Sequence, residues 1–244
     1  MTRRRWIADE VSGDCAALVA EHADHLVRVL RARVGQEFDI AAGEAVRRGR
    51  ITSVRNDRVE FELGEEVSGV EMVELTLVLA IFKFDRMEWA IEKCTELGVS
   101  RIVPVIARRT DSHLAAASTK RVDRWQRIAR QAAEQSRRTA PPEIAAPVEG
   151  TEALSFPEAL RIVLSESEER ALLRDVVKPN DARIEDDARH GIVLAAGPEG
   201  GWTEAELQSF QQAGWVSASL GNTILRAETA AIAATAVVIA LYSR

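Results

Sequence analysis

Two hydrophobic rhythms divide this chain. From residue 73 onward, continuous apolar runs alternate with stretches of helical periodicity. VELTLVLAIF (73–82) is apolar and β-branched over nearly its whole length, the pattern of a strand buried on both faces. RMEWAIEKCTELG (86–98) predicts a helix stopped at Gly98, and VSRIVPVIA (99–107) a second strand. TKRVDRWQRIARQAAEQSRR (119–138) predicts a long helix with Val122, Trp125, Ile128, Ala129 and Ala132 on its apolar side. Trp125, like Trp89, reads as a core residue. A helix around FPEALR follows, then a strand in RIVLSESE (161–168) leading into a loop. GIVLAAGPEGG reads as strand and loop, TEAELQSFQQAG as a helix, WVSASLG as a short strand, and AETAAIAATAVVIALYSR as a helix rich in small residues. Strands alternating with helices predict an α/β fold with a mostly parallel sheet covered on both faces. Ligands of such sheets bind beyond the C-terminal ends of the strands, which is where the glycine-rich loops fall.

The first 70 or so residues follow a different rhythm. GQEFDIAAGE and GRITSVRNDRVEFEL alternate apolar with polar positions, punctuated by Gly35, Gly43, Gly49 and Asn56-Asp57. Before them, AEHADHLVRVLRARVG predicts an amphipathic helix on Leu26, Val29, Leu30 and Val34, with Gly35 as its C-cap. Together these segments predict a small barrel-like domain, joined through LGEEVSGVEM (63–72) to the α/β part.

Composition narrows the classes. The chain has 244 residues, 46% hydrophobic and 29% charged, an ordinary globular balance. No apolar run approaches the ~20 residues of a membrane span, and MTRRRWIADE lacks the apolar core of a secretory signal. Cys15 and Cys94 are isolated, which fits a reducing, cytoplasmic setting. His22 and His25 share a helix face, but no further His or Cys clusters with them, so no metal is expected. The net charge of -6 conceals a strong asymmetry. Residues 101–140 carry ten Lys/Arg against three acids, a net of +7. An acidic protein with one concentrated basic segment can grip a polyanion there.

The loop AAGPEGGWTEAE (195–206) is the first candidate site. Thr203 and Glu206 form a capping-box pattern, so the helix start is satisfied by its own side chains. Neither a P-loop nor a GxGxxG pattern is present, no lysine stands near, and Glu199 would repel a phosphate. Such a loop suits a ligand other than a polyphosphate, one that carries positive charge. ASLGNTILRAETAAIAA (218–234) is a second such stretch, with Ile224 and Leu225 apolar in a loop and Arg226 and Glu228 at the start of a helix. LSESEE (164–169) closes a third strand. Alone, each is a tight turn more often than a site; their co-occurrence points to one small ligand.

GPEGGWTEAE followed by LGNTILRAETAAIAA resembles the two C-terminal motifs of the SPOUT methyltransferases. HLVRVLRARVGQEFDI (25–40), FKFDRMEWAIEKCTELGVSRIVPV (82–105), RWQRIARQAAEQSRR (124–138) and the arginine-rich start with Trp6 extend the resemblance, in order, over nearly the whole chain. The chain is most similar to the bacterial 16S rRNA uridine-N3 methyltransferases (RsmE-type). The resemblance implies a PUA-like RNA-binding β-barrel over 1–70 and a SPOUT domain with a C-terminal trefoil knot over 73–244. It also implies S-adenosylmethionine (SAM) as cofactor, 16S rRNA in the small ribosomal subunit as partner, and a homodimer. In one place the chain departs from the family pattern: Asn222-Thr223 stands where the family usually reads Pro-Arg before ILR.

On that resemblance, Leu220, Ile224 and Leu225 would hold the adenine, with Gly221, Asn222, Leu164 and Pro198 completing the cofactor site. Gly197, Gly200 and Gly201 would let the chain bend around it, and Glu166 or Glu199 would hold the ribose or face the sulfonium. Uridine N3 must lose a proton, and a guanidinium aimed at the flanking carbonyl oxygens would stabilise the anion. Arg226 is the first choice for that role, with Glu228 orienting it or accepting the proton. Arg3, Arg4, Arg5, Arg124, Arg137 and Arg138 would hold RNA phosphates, with Trp6 stacking on a base. Competing readings are a non-catalytic RNA-binding assembly factor, for which Thr223 is the one pointer, and a SPOUT enzyme acting on another RNA or base.

Overall fold

The computed structural model describes residues 5–43, 45–67, 73–136, 138–157, 160–178 and 191–242. The chain divides into two compact units, Met1–Glu71 with Ala133–Pro141, and Met72–Ala132 with Pro142–Arg244.

The first unit contains β1 (Arg5–Ile7), β2 (Glu10–Ser12), β3 (Cys15–Val19), a short helix α1 (Ala20–Asp24), β4 (Glu37–Ala42), β5 (Ala45–Val54) and β6 (Arg58–Val67). Among the described residues these strands form one sheet in the order β1-β4-β5-β6-β3-β2. Alternate residues of the long strands turn inward, so Ile51, Val59, Phe61 and Leu63 join Leu18, Leu26 and Ile40 in one core. Gly49 sits at a register shift between β5 and β6, where a β-carbon would lie 2.4 Å from Ile40 Cγ1; only glycine fits.

Three expectations for this unit are corrected. The helix expected over 20–34 is α1 followed by a π-helical turn, His25–Val29. The chain enters and leaves it through positive φ at Ala20 and Arg31. Leu26 is buried as expected, but Val29 and Val34 are exposed. Gly35 does not cap this helix; its N–H donates to Ile51 O at 2.8 Å and so joins the sheet. Residues 63–67, read as linker, belong to β6; 68–72 lie outside the described residues.

The second unit contains β7 (Leu75–Ala80), α2 (Phe84–Leu97), β8 (Arg101–Ile106), α3 (Ser112–Ser118), α4 (Val122–Gln135), β9 (Glu143–Ile144), β10 (Val148–Glu149), β11 (Leu160–Leu164), α5 (Leu173–Val176), β12 (Ile192–Ala196), α6 (Glu204–Gln212), β13 (Val216–Ala218) and α7 (Ala227–Tyr242). Among the described residues the sheet order is β10-β8-β7-β12-β11-β13, with β9 also on β8, and every pairing is parallel. The period of two sorts the side chains. Leu75, Leu77, Leu79, Ile192 and Leu194 face one core with α2, Trp125 and α7. Val78, Ala80, Val193 and Ala195 face another with Trp202, Phe210 and Trp215.

The long basic helix is broken: α3 and a 3-10 turn, Thr119–Arg121, precede α4. Trp125 is fully buried, whereas Trp89, also read as core, is 48% exposed. In place of a helix at FPEALR the chain makes a 3-10 turn over Glu152–Leu154; Phe156 and Pro157 are not helical, and 158–159 lie outside the described residues.

Cys94 on α2 is buried against α7, with Thr235 Oγ1 at 3.5 Å from its sulfur. Burial pushes its thiol up to about 12, so it carries almost no thiolate at neutral pH. Cys15 is exposed. A thiol-disulfide reagent at neutral pH is therefore expected to titrate one thiol in the native protein and both in denaturant. Two native thiols would contradict this packing.

Candidate active site

Three loops leave the C-terminal ends of β11, β12 and β13 and meet over a cavity of about 460 Å³. The parallel pairing is the reason: β11 lies between β12 and β13, so their ends share one edge of the sheet. Cross-links hold the first and third loops together. Ser165 N donates to Ala218 O at 2.9 Å, Leu173 N to Ser219 O at 2.8 Å, and Ser219 N to Ala171 O at 2.8 Å. Glu168 accepts from Arg170 N and Ala171 N at 2.8 and 3.0 Å, and these bonds hold its carboxyl below the usual range.

The middle loop is tied down at both ends. Thr203 and Glu206 make the expected capping box at the start of α6. Arg109 donates to the carbonyls of Gly200 and, at 3.4 Å, Trp202. Lys83 N donates to Glu199 Oε1 at 3.4 Å. Gly201 holds φ +68°, a conformation that favours glycine, and a β-carbon there would stand close to Glu166 Oε1, at 3.1 Å. At Gly197 a β-carbon would stand 3.2 Å from Trp202 Nε1.

Of the residues proposed for the cofactor, Leu164, Glu166, Gly197, Pro198, Glu199, Gly201, Leu220, Gly221, Ile224 and Leu225 line this cavity. Gly200 and Asn222 do not; Gly200 faces the Arg109 stem instead. Thr223 lines the cavity as well. Ile224 is 84% exposed, an unfavourable state for an isoleucine that a ligand would relieve. Trp202, Ser165, Ser167 and Ser219 also line it and were missed. The tryptophan follows GPEGG directly, which was the available signal.

Arg226 is exposed at the start of α7, one residue from the cavity-lining Leu225 and Ala227. Its guanidinium has no ion pair among the described residues. Glu228 is buried, 3% exposed, and does not orient Arg226. Its partner is Arg86, with Nη1 at 3.7 Å from Oε1, while Oε2 has no hydrogen bond. The pairing with α2 was not visible in the sequence, because Arg86 and Glu228 are far apart in the chain.

The RNA candidates sort differently. Trp6 is only 6% exposed and packs edge-on against His25 at 5.6 Å, so its ring is not available to stack on a base. Apolar burial in the first unit claims it. Arg5 is half-buried, and Arg3, Arg4 and Arg137 lie outside the described residues. Arg124 makes a two-pronged pair with Glu88 at 2.6 and 2.7 Å. Arg138 is half-buried, and burial lowers its pKa to about 10, which leaves it cationic at neutral pH. Lys120 and Arg127 on the same segment are exposed and have no ion pair among the described residues. Among the described residues, no group of His, Cys, Asp and Glu could hold a metal ion, and no helix is long and apolar enough to cross a membrane.

Comparison with known proteins gives this geometry a family. Residues 70–239 match the RNA methyltransferase domain family. Ribosomal RNA small subunit methyltransferase E of Synechocystis sp. is 34% identical over 230 residues, which cover 92% of this chain and 72% of that protein. The enzyme of the same name from Aquifex aeolicus is 28% identical over 93% of this chain and 95% of its own. The crystal structure of a ribosomal RNA small subunit methyltransferase E from Neisseria gonorrhoeae bound to S-adenosyl methionine superposes with a TM-score of 0.82 at 31% identity, covering 99% of this chain and 98% of that one. With a matched domain spanning more than half its length and a relative 34% identical of which it covers 72%, the chain belongs to the RNA methyltransferase domain family, in its ribosomal RNA small subunit methyltransferase E branch.

Proposed function

We propose that this chain is a SAM-dependent methyltransferase of small-subunit (16S) rRNA, acting on N3 of a uridine. The observation that carries the reading is the three-loop cavity at the C-terminal edge of the parallel sheet. Its volume of about 460 Å³ lies within the roughly 300–1,000 Å³ of small-ligand sites. At its glycines 197 and 201 a β-carbon would make tight contacts, 3.2 Å from Trp202 Nε1 and 3.1 Å from Glu166 Oε1. Its acids suit a cationic ligand, and its exposed Ile224 and Leu225 suit an apolar ring. The residues present therefore fit SAM, which when bound supplies an electrophilic methyl group on a sulfonium.

The chain's own residues position and polarise. Glu166 is the better candidate for the ribose or the positive charge, because Glu199 already accepts from Lys83 N. Arg226 stabilises the negative charge that spreads over the uracil carbonyls as N3 loses its proton. Glu228, buried beside Arg86, either accepts that proton or holds Arg86 in place. Direct displacement needs little more than alignment of the two reactants, so positioning supplies most of the acceleration.

In this reading the first unit is the PUA-like RNA-binding domain, over 1–70, and residues 73–244 form the catalytic SPOUT domain with its trefoil knot. The enzyme works as a homodimer in the cytoplasm, where its substrate is found. Exposed Trp89 in the second unit supplies apolar surface for a second copy. In the second unit, phosphates are held by the basic segment 101–132, through exposed Lys120 and Arg127. Lys120→Glu with Arg127→Glu is expected to weaken RNA binding by about tenfold or more at moderate salt and to flatten its salt dependence. SAM affinity should stay unchanged. Equal loss of both affinities would count against this division of labour.

The central test is single-turnover methylation of small ribosomal subunits from cells lacking the activity, with labelled SAM and mass spectrometry of the digested RNA. A 3-methyluridine at one site is the expected product. Measurable SAM binding without any methylated nucleoside would instead mark an RNA-binding factor, and Thr223→Arg would be the first reversion to try.

A further inference from the structure

We propose that Arg109 is a positioning residue for the methyl-donor cavity, which it serves by locking the peptide plane between Gly200 and Gly201. The inference rests on the reading of the cavity as a SAM site. By sequence Arg109 belongs to the basic stretch 101–140, but its guanidinium turns to the cofactor loop. Nη1 donates to the Gly200 carbonyl and, at 3.4 Å, to the Trp202 carbonyl. No carboxylate pairs with it among the described residues. The other end of the same peptide is also held, because Gly201 N donates to Pro198 O at 2.8 Å. The Gly200 carbonyl and the Gly201 N–H belong to one rigid plane, so a flip of that plane would break both bonds together.

Two adjacent glycines leave such a plane free to turn unless something holds it. What the lock holds is part of the cavity wall. Gly201 and Trp202 both line the cavity, whereas Arg109 does not; it acts through the loop and not on the ligand. A cationic donor makes the stronger kind of hydrogen bond to a carbonyl. The arginine itself stands on a braced turn after β8. Ala107 N donates to Thr110 Oγ1 at 3.1 Å, and Thr110 Oγ1 donates to Ile81 O at 3.1 Å. Arg108 N donates to Glu206 Oε1 at 2.8 Å, the glutamate of the α6 capping box. The turn that carries Arg109 and the helix that follows the cofactor loop are thus bonded to each other.

The test compares wild type with Arg109→Met, which keeps an unbranched stem and removes every donor, and with Arg109→Lys, which keeps a cationic donor. Hydrogen exchange of the Gly201 amide is followed by NMR in the ligand-free proteins, and SAM and 16S rRNA are each titrated. In Arg109→Met the Gly201 amide is expected to exchange about tenfold or more faster and SAM to bind about tenfold or more weakly. The amides of β12 and the affinity for rRNA should stay at their wild-type values. The single-turnover rate at saturating SAM should remain within about twofold of wild type, the signature of lost binding without lost chemistry. Arg109→Lys should recover part of both losses. Gly201 exchange at the wild-type rate in Arg109→Met would overturn the assignment, as would a loss of rRNA affinity with SAM affinity intact, which would return Arg109 to the RNA face. Failure of the wild-type protein to bind SAM would instead sink the reading of the cavity, while Gly201 exchange would still decide whether the lock exists.

Discussion

Arg226→Ala is expected to slow single-turnover methyl transfer by roughly 10²–10³-fold, the usual cost of removing a donor that faces developing negative charge, while SAM affinity stays unchanged. The separation follows from where the side chain stands. Arg226 is exposed and supports no packing, so the variant should fold normally. It adjoins Leu225 and Ala227, which line the cavity, but does not itself line it. No carboxylate among the described residues competes for its guanidinium. Arg226→Lys keeps the charge and loses the planar fork, so an intermediate rate is expected. A wild-type rate for Arg226→Ala would shift the role to Arg86, whose partner Glu228 sits buried at the start of α7.

The largest expected loss of stability is at Trp125. Trp125→Ala should destabilise the second unit by about 3–5 kcal/mol, read as a lower midpoint in urea unfolding. The indole is fully buried and meets Phe84 edge-on at 6.0 Å, while the Arg121 guanidinium covers the Phe84 ring at 4.6 Å. This stack fixes α4 on the first turn of α2. Lys83, which precedes that turn, donates to Glu199 of the cavity loop. The variant should therefore also bind SAM more weakly under conditions where it remains folded. Trp125→Phe retains part of the contact and should lose less. A change below about 1 kcal/mol for Trp125→Ala, the range of ordinary surface substitutions, would mean that this interface contributes little.

These two residues also show what a single sequence reveals. Trp125 and Trp89 both lie in helical segments with apolar periodicity, and both read as core. Only Trp125 is; Trp89 is turned to solvent. Periodicity identifies a helix and its apolar side, but the width of the buried stripe depends on what packs against it. Trp6 failed in the opposite sense, read as a stacking surface and found in a core. The short strands β1, β2 and β3 were not recognised, because strands of three to five residues carry too little alternation to stand out.

The candidate cavity was far more legible. GPEGG and LGNTIL, each alone an ordinary turn, were recognised by their co-occurrence at strand ends and by their resemblance to the SPOUT motifs, and the capping box at Thr203 and Glu206 is local enough to be read directly. Contacts between distant segments were not. Arg86 with Glu228, Arg109 with the Gly200 carbonyl and Trp202 over Gly197 include pairs far apart in the chain, and nothing local announces them.

By itself the sequence determined the main strands and helices of the second unit, though not α3, α5, β9 or β10, the parallel character of its sheet and the loops able to take a ligand, because hydrophobic period and glycine chemistry act over a few residues at a time. The tertiary structure alone decided which loops meet, which arginine neutralises Glu228, which tryptophan is buried and which cations remain open to solvent. Those outcomes depend on the placement of β11 between β12 and β13 and on the packing of α2 against α4 and α7. Both are settled by burying whole faces at once, and so are not encoded in any one stretch.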